Sequence, residues 1–88
     1  MESFDTPDAA STLSTIRTGE HGIVRTLRGG RAFCSRAANL GFTTGAQVQV
    51  IQNYGSGPMI VAVRGTRVAL GRAEADNVLV DLAKAGQL

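Results

Sequence analysis

His21 and Cys34 are the residues whose types could do nucleophilic or metal chemistry, and each is the sole representative of its type in 88 residues. A Ser–His–Asp or Cys–His arrangement needs a base within hydrogen-bond reach of its nucleophile. Here His21 falls at a turn flanked by Gly19 and Gly22, whereas Cys34 falls on a helix near the seam between Phe33 and Ala37. Cys34 reads as a buried structural thiol. With no second cysteine it forms no internal disulfide, which fits a reducing cytoplasm. Structural zinc sites pair their ligands, as in C-x-x-C, and no such pair occurs. Hard ions need converging carboxylates, yet no Asp or Glu stands between His21 and Ala73. Glu20–His21 could seat one ion weakly with help from a second chain. The glycine loops do not cradle a nucleotide. Gly55-Ser56-Gly57 runs into Pro58 and a strand, where a dinucleotide fingerprint would open a helix, and no G-x-x-x-x-G-K-[ST] occurs. The expectation is a protein that is not an enzyme, with no cofactor and no metal site of its own.

Charge is distributed unevenly. The net charge is +2, but the span without acids carries Arg25, Arg28, Arg31, Arg36, Arg64, Arg67 and Arg72. Glu2, Asp5 and Asp8 precede this span, and Glu74, Asp76 and Asp81 follow it. Such a surface either serves solubility or suits an anionic partner: an acidic protein face, phospholipid head groups or nucleic acid. Arginine, unlike lysine, offers bidentate contacts to carboxylate or phosphate.

The elements that must position these residues are short. With 11 Gly and 18% charged residues, the chain suits one compact, turn-rich domain. No apolar stretch approaches the roughly 20 residues of a membrane-spanning helix. The polar, acidic start, 1–15, is neither a signal nor a transit peptide. Residues 1–11 read as a disordered lead-in, 12–82 as the domain and 83–88 as a tail. Leu13 and Ile16, three apart, dock a helical turn or an extended arm on the core. Ile23 to Leu27 reads as the first strand and Arg31 to Leu40 as a helix, with Phe33, Ala37 and Leu40 on its apolar face and a left-handed cap at Gly41. Alternation of apolar and polar residues then predicts strands over 47–53, 59–63, 66–70 and 77–82, with a short helical turn at 71–76. The expected core is Phe33, Leu40, Val48, Val50, Val61, Val63, Val68, Leu70 and Val78. The fold class is mainly β: a small five- to six-stranded barrel with one short α-helix.

In order and spacing these pieces resemble the FeoA family over roughly Leu13 to Val80. Leu13 to Gly19 is similar to the family's opening Leu-x-x-Leu-x-x-Gly, with Ile16 at the second apolar position. Val24 corresponds to the first-strand valine. Arg36, Leu40, Gly41, Gly45, Val48 and Val50 match the helix end and the Gly-x-x-Val-x-Val that follows. Pro58, Val61, Val63, Gly65, Val68, Ala69 and Leu70 continue the match, then Ala75, Val78 and Val80. Ala37 departs from it, standing where the family usually has leucine. The resemblance implies an SH3-like barrel without catalytic motifs, tied to bacterial ferrous-iron (transition-metal) transport. It also implies a partner, the membrane GTPase transporter FeoB, reached from the cytoplasm, so that the protein meets the membrane only through that partner. The start at Met1 and the lack of a helical DNA-binding domain favour the free-standing kind over the version appended to metal-dependent repressors.

The candidate partner-binding residues are Arg36, one position off the helix's apolar face, Arg64 and Arg67 at a hairpin tip, and the aromatics Phe42 and Tyr54. The last two could equally plug the barrel's ends. The alternative function is a small nucleic-acid-binding SH3-like barrel that stacks bases on Phe42 and Tyr54; under the main reading no nucleic acid is expected. A homodimer stays open, as does whether the protein activates, gates or stabilises the transporter.

Overall fold

The computed structural model describes residues 10–83 and forms six antiparallel strands, one ten-residue helix and two short turns of helix. In chain order these are β1 (Ala10–Thr12), a 3-10 turn (Leu13–Thr15), β2 (His21–Leu27), α1 (Arg31–Leu40), β3 (Gln47–Gln52), β4 (Met59–Val63), β5 (Thr66–Leu70), α2 (Arg72–Ala75) and β6 (Val78–Ala83). The strands make one sheet in the order β1-β6-β2-β3-β4-β5. Register shifts at Arg25 on β2 and Ile51 on β3 bend the sheet, because the extra residue of a bulge raises the local twist. No described helix is long and apolar enough to cross a membrane.

Alternation decides the faces. Val48, Val50, Val61, Val63, Val68, Leu70 and Val78 point inward and are buried, as expected, together with Leu13, Ile16, Val24, Met59 and Val80. Leu13 and Ile16 bracket a 3-10 turn, so of the helical turn and the extended arm that their spacing allows the structure has the turn. At the β4–β5 hairpin, Val63 pairs with Thr66 across a two-residue loop. Arg64 (φ 50°) and Gly65 (φ 78°) both lie in the left-handed region, the geometry of a type I′ turn, whose twist matches that of the strands.

Several expectations shift. Ser11, assigned to the lead-in, lies in β1 and pairs with Val80 of β6; the rest of that lead-in, apart from Ala10, falls outside the described residues, as does the tail after Ala83. His21 is not on a turn: it opens β2 opposite Gln49. Leu40 is not core. It is 39% exposed, and α1 buries only Ala37 while half-buried Phe33 packs on the core. With Ala37 the one residue of α1 that is buried, the helix meets the core through a narrow contact, and Leu40, three residues further along, stands outside it. Cys34 is half-buried, its Sγ 3.7 Å from the Arg28 carbonyl.

The turn after α1 corrects a further assignment. The Phe42 N–H donates to the Ala37 carbonyl and the Gly41 N–H to Ala38, both at 3.0 Å. This is the Schellman pattern, in which the residue after the left-handed glycine folds back onto the helix's last turn. Phe42 is therefore driven into the core beside Ala37 and is fully buried.

Candidate partner-docking surface

The proposed contact residues sort by burial. Phe42 is withdrawn as one, because no partner reaches a side chain with no exposed surface. That withdrawal also halves the pair of aromatics on which a nucleic-acid platform would rest. Tyr54 is 78% exposed and lies in the loop joining β3 to β4. Arg36, Arg64 and Arg67 are exposed.

The three arginines have different duties. The Arg36 guanidinium is paired with the Glu74 carboxylate of α2 and lies 5.9 Å from the centre of the Phe33 ring. Half-exposed, this pair contributes little stability by itself, yet it ties the middle of α1 to α2. Arg64 has a structural role that its hairpin position does not suggest. Its Nε donates to the Gly41 carbonyl at 3.2 Å and its Nη2 to Thr43 Oγ1 at 2.7 Å. The hairpin tip is thereby fixed to the C-terminal end of α1. Arg67 stands on β5 opposite Ala62. Strand directions place Arg64 at one end of β4 and the Tyr54 loop at the other, about 16 Å away for five residues at 3.3 Å each. The structure thus gathers Arg64 and Arg67 on one hairpin, sets Arg36 on the adjacent helix and separates Tyr54 from them.

A polar network, which sequence reasoning missed, ties the 3-10 turn, the end of β3 and α2 together. The Asn53 amide donates to the carbonyls of Ser14 (3.1 Å) and Ile16 (2.7 Å). Arg72 donates from Nη1 to the Ser14 carbonyl (3.0 Å) and from Nη2 to Asn53 Oδ1 (2.8 Å). The Ser14 hydroxyl donates to Asp76 Oδ1, and Arg28 Nη2 donates to the Asp76 carbonyl at 3.1 Å. These contacts join residues 19 to 62 positions apart, so no local spacing announces them. Among the described residues no three of His, Cys, Asp and Glu converge as metal ligands.

Comparison with known proteins places this geometry. The FeoA domain model matches residues 11–82. A protein of Methanocaldococcus jannaschii assigned as Fe(2+) transport protein A is 31% identical over 74 residues, covering 84% of this chain and 89% of its own. The crystal structure of an iron uptake regulatory protein (FeoA) superposes with a TM-score of 0.80 at 34% identity, covering 84% of this chain and 99% of that one. Stenotrophomonas maltophilia FeoA, crystallised with zinc, superposes at 0.73 and 32% identity over 81% and 89% of the two chains. It is described as a prokaryotic SH3 domain protein and suggested to act as a ferrous-iron transport activating factor. With an SH3-like sheet, a FeoA match over most of its length and FeoA relatives above 30% identity, this chain belongs to the FeoA family.

Proposed function

We propose that this protein is a non-catalytic accessory factor of ferrous-iron uptake, acting in the cytoplasm by contact with a FeoB-type membrane GTPase transporter. The observation that supports it most is the 34% identity and 0.80 TM-score to an iron uptake regulatory FeoA. The surface suits the role: Arg64 and Arg67 are exposed on one hairpin, and the span from residue 22 to 72 adds no carboxylate to oppose them. Any iron dependence is exerted through the transporter. The test is a pull-down of detergent-solubilised transporter by the tagged protein, repeated with Arg67→Glu and at rising salt. Retention that falls with the charge reversal and with salt is the expected result, since exposed charges are screened beyond about 8–10 Å. Iron uptake unaffected by deletion of the protein would sink the reading.

A further inference from the structure

A shallow groove of about 450 Å³ crosses the outer face of the sheet between β2, β3 and β4 and ends at the β4–β5 turn. Its position follows from register. His21 pairs with Gln49, Gln49 with Ala62 and Ala62 with Arg67, and residues directly opposite in antiparallel strands share a face. Val48, Val50, Val61 and Val63 take the inner face, so the row His21–Gln49–Ala62–Arg67 lies on the outer one, about 14 Å across four strands at roughly 4.8 Å spacing. Ala62 is the small residue in this row and makes the floor. Gln47, Gln49 and Arg64 make the walls.

The charge in the groove has one sign. Arg64 lines it and Arg67 ends the row, and among the described residues no carboxylate lines it. Asp81, elsewhere on this face, lies 3.6 Å from Arg25 Nη1. Arg64 is also held in place: its bonds to Gly41 and Thr43 use Nε and one Nη2 hydrogen, leaving the Nη1 amino group and a second Nη2 hydrogen to donate. A guanidinium already ordered by the fold loses less freedom on binding than a free one. The glutamine amides carry both donors and acceptors, which match the alternating N–H and C=O of an extended peptide backbone. Among the described residues no Phe, Tyr or Trp ring lines the groove, so the broad platforms on which single-stranded nucleic acid stacks are missing.

We infer that this groove receives an extended acidic segment of a partner protein, whose backbone lies against Gln47 and Gln49 over Ala62 and whose carboxylates meet Arg64 and Arg67. This rests on the docking role proposed above and gives it a location and a chemistry.

The test uses the full chain and a fluorescein-labelled octapeptide of alternating glutamate and valine. Amide shifts on titration should concentrate at His21, Gln47, Gln49, Ala62 and Arg64. Ala62→Leu, which fills the floor without changing charge, should weaken binding at least tenfold, whereas Arg25→Gln on the same sheet face should leave it within twofold. Shifts centred on residues 31–40, binding indifferent to Ala62→Leu, or displacement by a single-stranded oligonucleotide at lower concentration than by unlabelled peptide would each overturn the inference. The shift map on the unaltered chain decides the matter even if Ala62→Leu folds poorly. Failure here with the transporter pull-down intact removes only the groove. Peptide binding without transporter retention removes the uptake reading instead.

Discussion

Arg64 closes the C-terminal end of α1 at Gly41. Its Nε bonds the Gly41 carbonyl, and its Cγ and Cδ lie 3.3 and 3.1 Å from where a Cβ on Gly41 would stand. The helix end and the β4–β5 hairpin tip, 23 residues apart in the chain, therefore act as one unit. The cationic surface is presented on this joint.

The joint makes Gly41 a sensitive position. It sits at φ 112°, and a side chain there would be strained by the left-handed backbone and crowded by the Arg64 stem. The backbone cost alone is about 1–2 kcal/mol. At roughly 4–8 °C per kcal/mol for a domain of this size, Gly41→Ala should lower the thermal midpoint by about 4–16 °C. An unchanged melt would mean that the helix end is not organised as described.

Arg64 and Arg67 should part company under mutation. Arg64→Ala removes two side-chain hydrogen bonds and the packing on Gly41, costing about 1 kcal/mol. Arg67→Ala, on the exposed face of β5, should stay within about 0.5 kcal/mol of the parent. Chemical denaturation of both variants checks this, and equal midpoints would contradict it.

Strand faces and turn positions were legible in the sequence because they depend on near neighbours. The alternation of Met59 to Val63 and of Thr66 to Leu70 gives the observed strands, and Gly41 marks the helix end. What escaped was set by distance or by a motif's consequence. Leu40 shares the helical stripe of Phe33 and Ala37, but a helix seated through one alanine leaves the stripe's end outside. Phe42 followed from the glycine cap, since a Schellman turn returns the next residue to the helix, yet an isolated aromatic beside a glycine reads just as easily as a surface contact. The Ser14–Asn53–Arg72–Asp76 network has no sequence signal, because it joins two chain ends and a loop. The groove needed the register between four strands, which periodicity within each strand does not supply.

Asn53 should prove more important than its loop position suggests. Asn53→Leu leaves the Ile16 carbonyl and Arg72 Nη2 without a side-chain partner, while the Ser14 carbonyl keeps only its bond from Arg72 Nη1. Each unsatisfied buried group costs about 1–3 kcal/mol, so a loss of at least 2 kcal/mol is expected by denaturant titration. Asn53→Asp should recover the Arg72 contact but not the two carbonyl bonds, falling between leucine and the parent.

Val61, fully buried in the middle of β4, tests the core itself. Truncation to alanine should cost about 1–3 kcal/mol through lost burial and the cavity left behind. A melt like the parent's would place Val61 outside the core and shift the register by one residue.

The two aromatics on either side of β3 give the clearest separation of stability from contact. Phe42→Ala empties the core beside Ala37, and removal of a buried phenylalanine costs about 3–5 kcal/mol. A domain of this length has little more than that in reserve, so the variant should be largely unfolded at 37 °C by circular dichroism. Tyr54→Ala removes a ring that is 78% exposed and should melt with the parent. Because Tyr54 sits at the far end of β4 from Arg64, it also measures the extent of the docking surface. Weakened transporter retention by a normally folded Tyr54→Ala would carry the contact along the length of the hairpin. Unchanged retention, with Arg67→Glu impaired, would confine it to the cationic end where the groove opens.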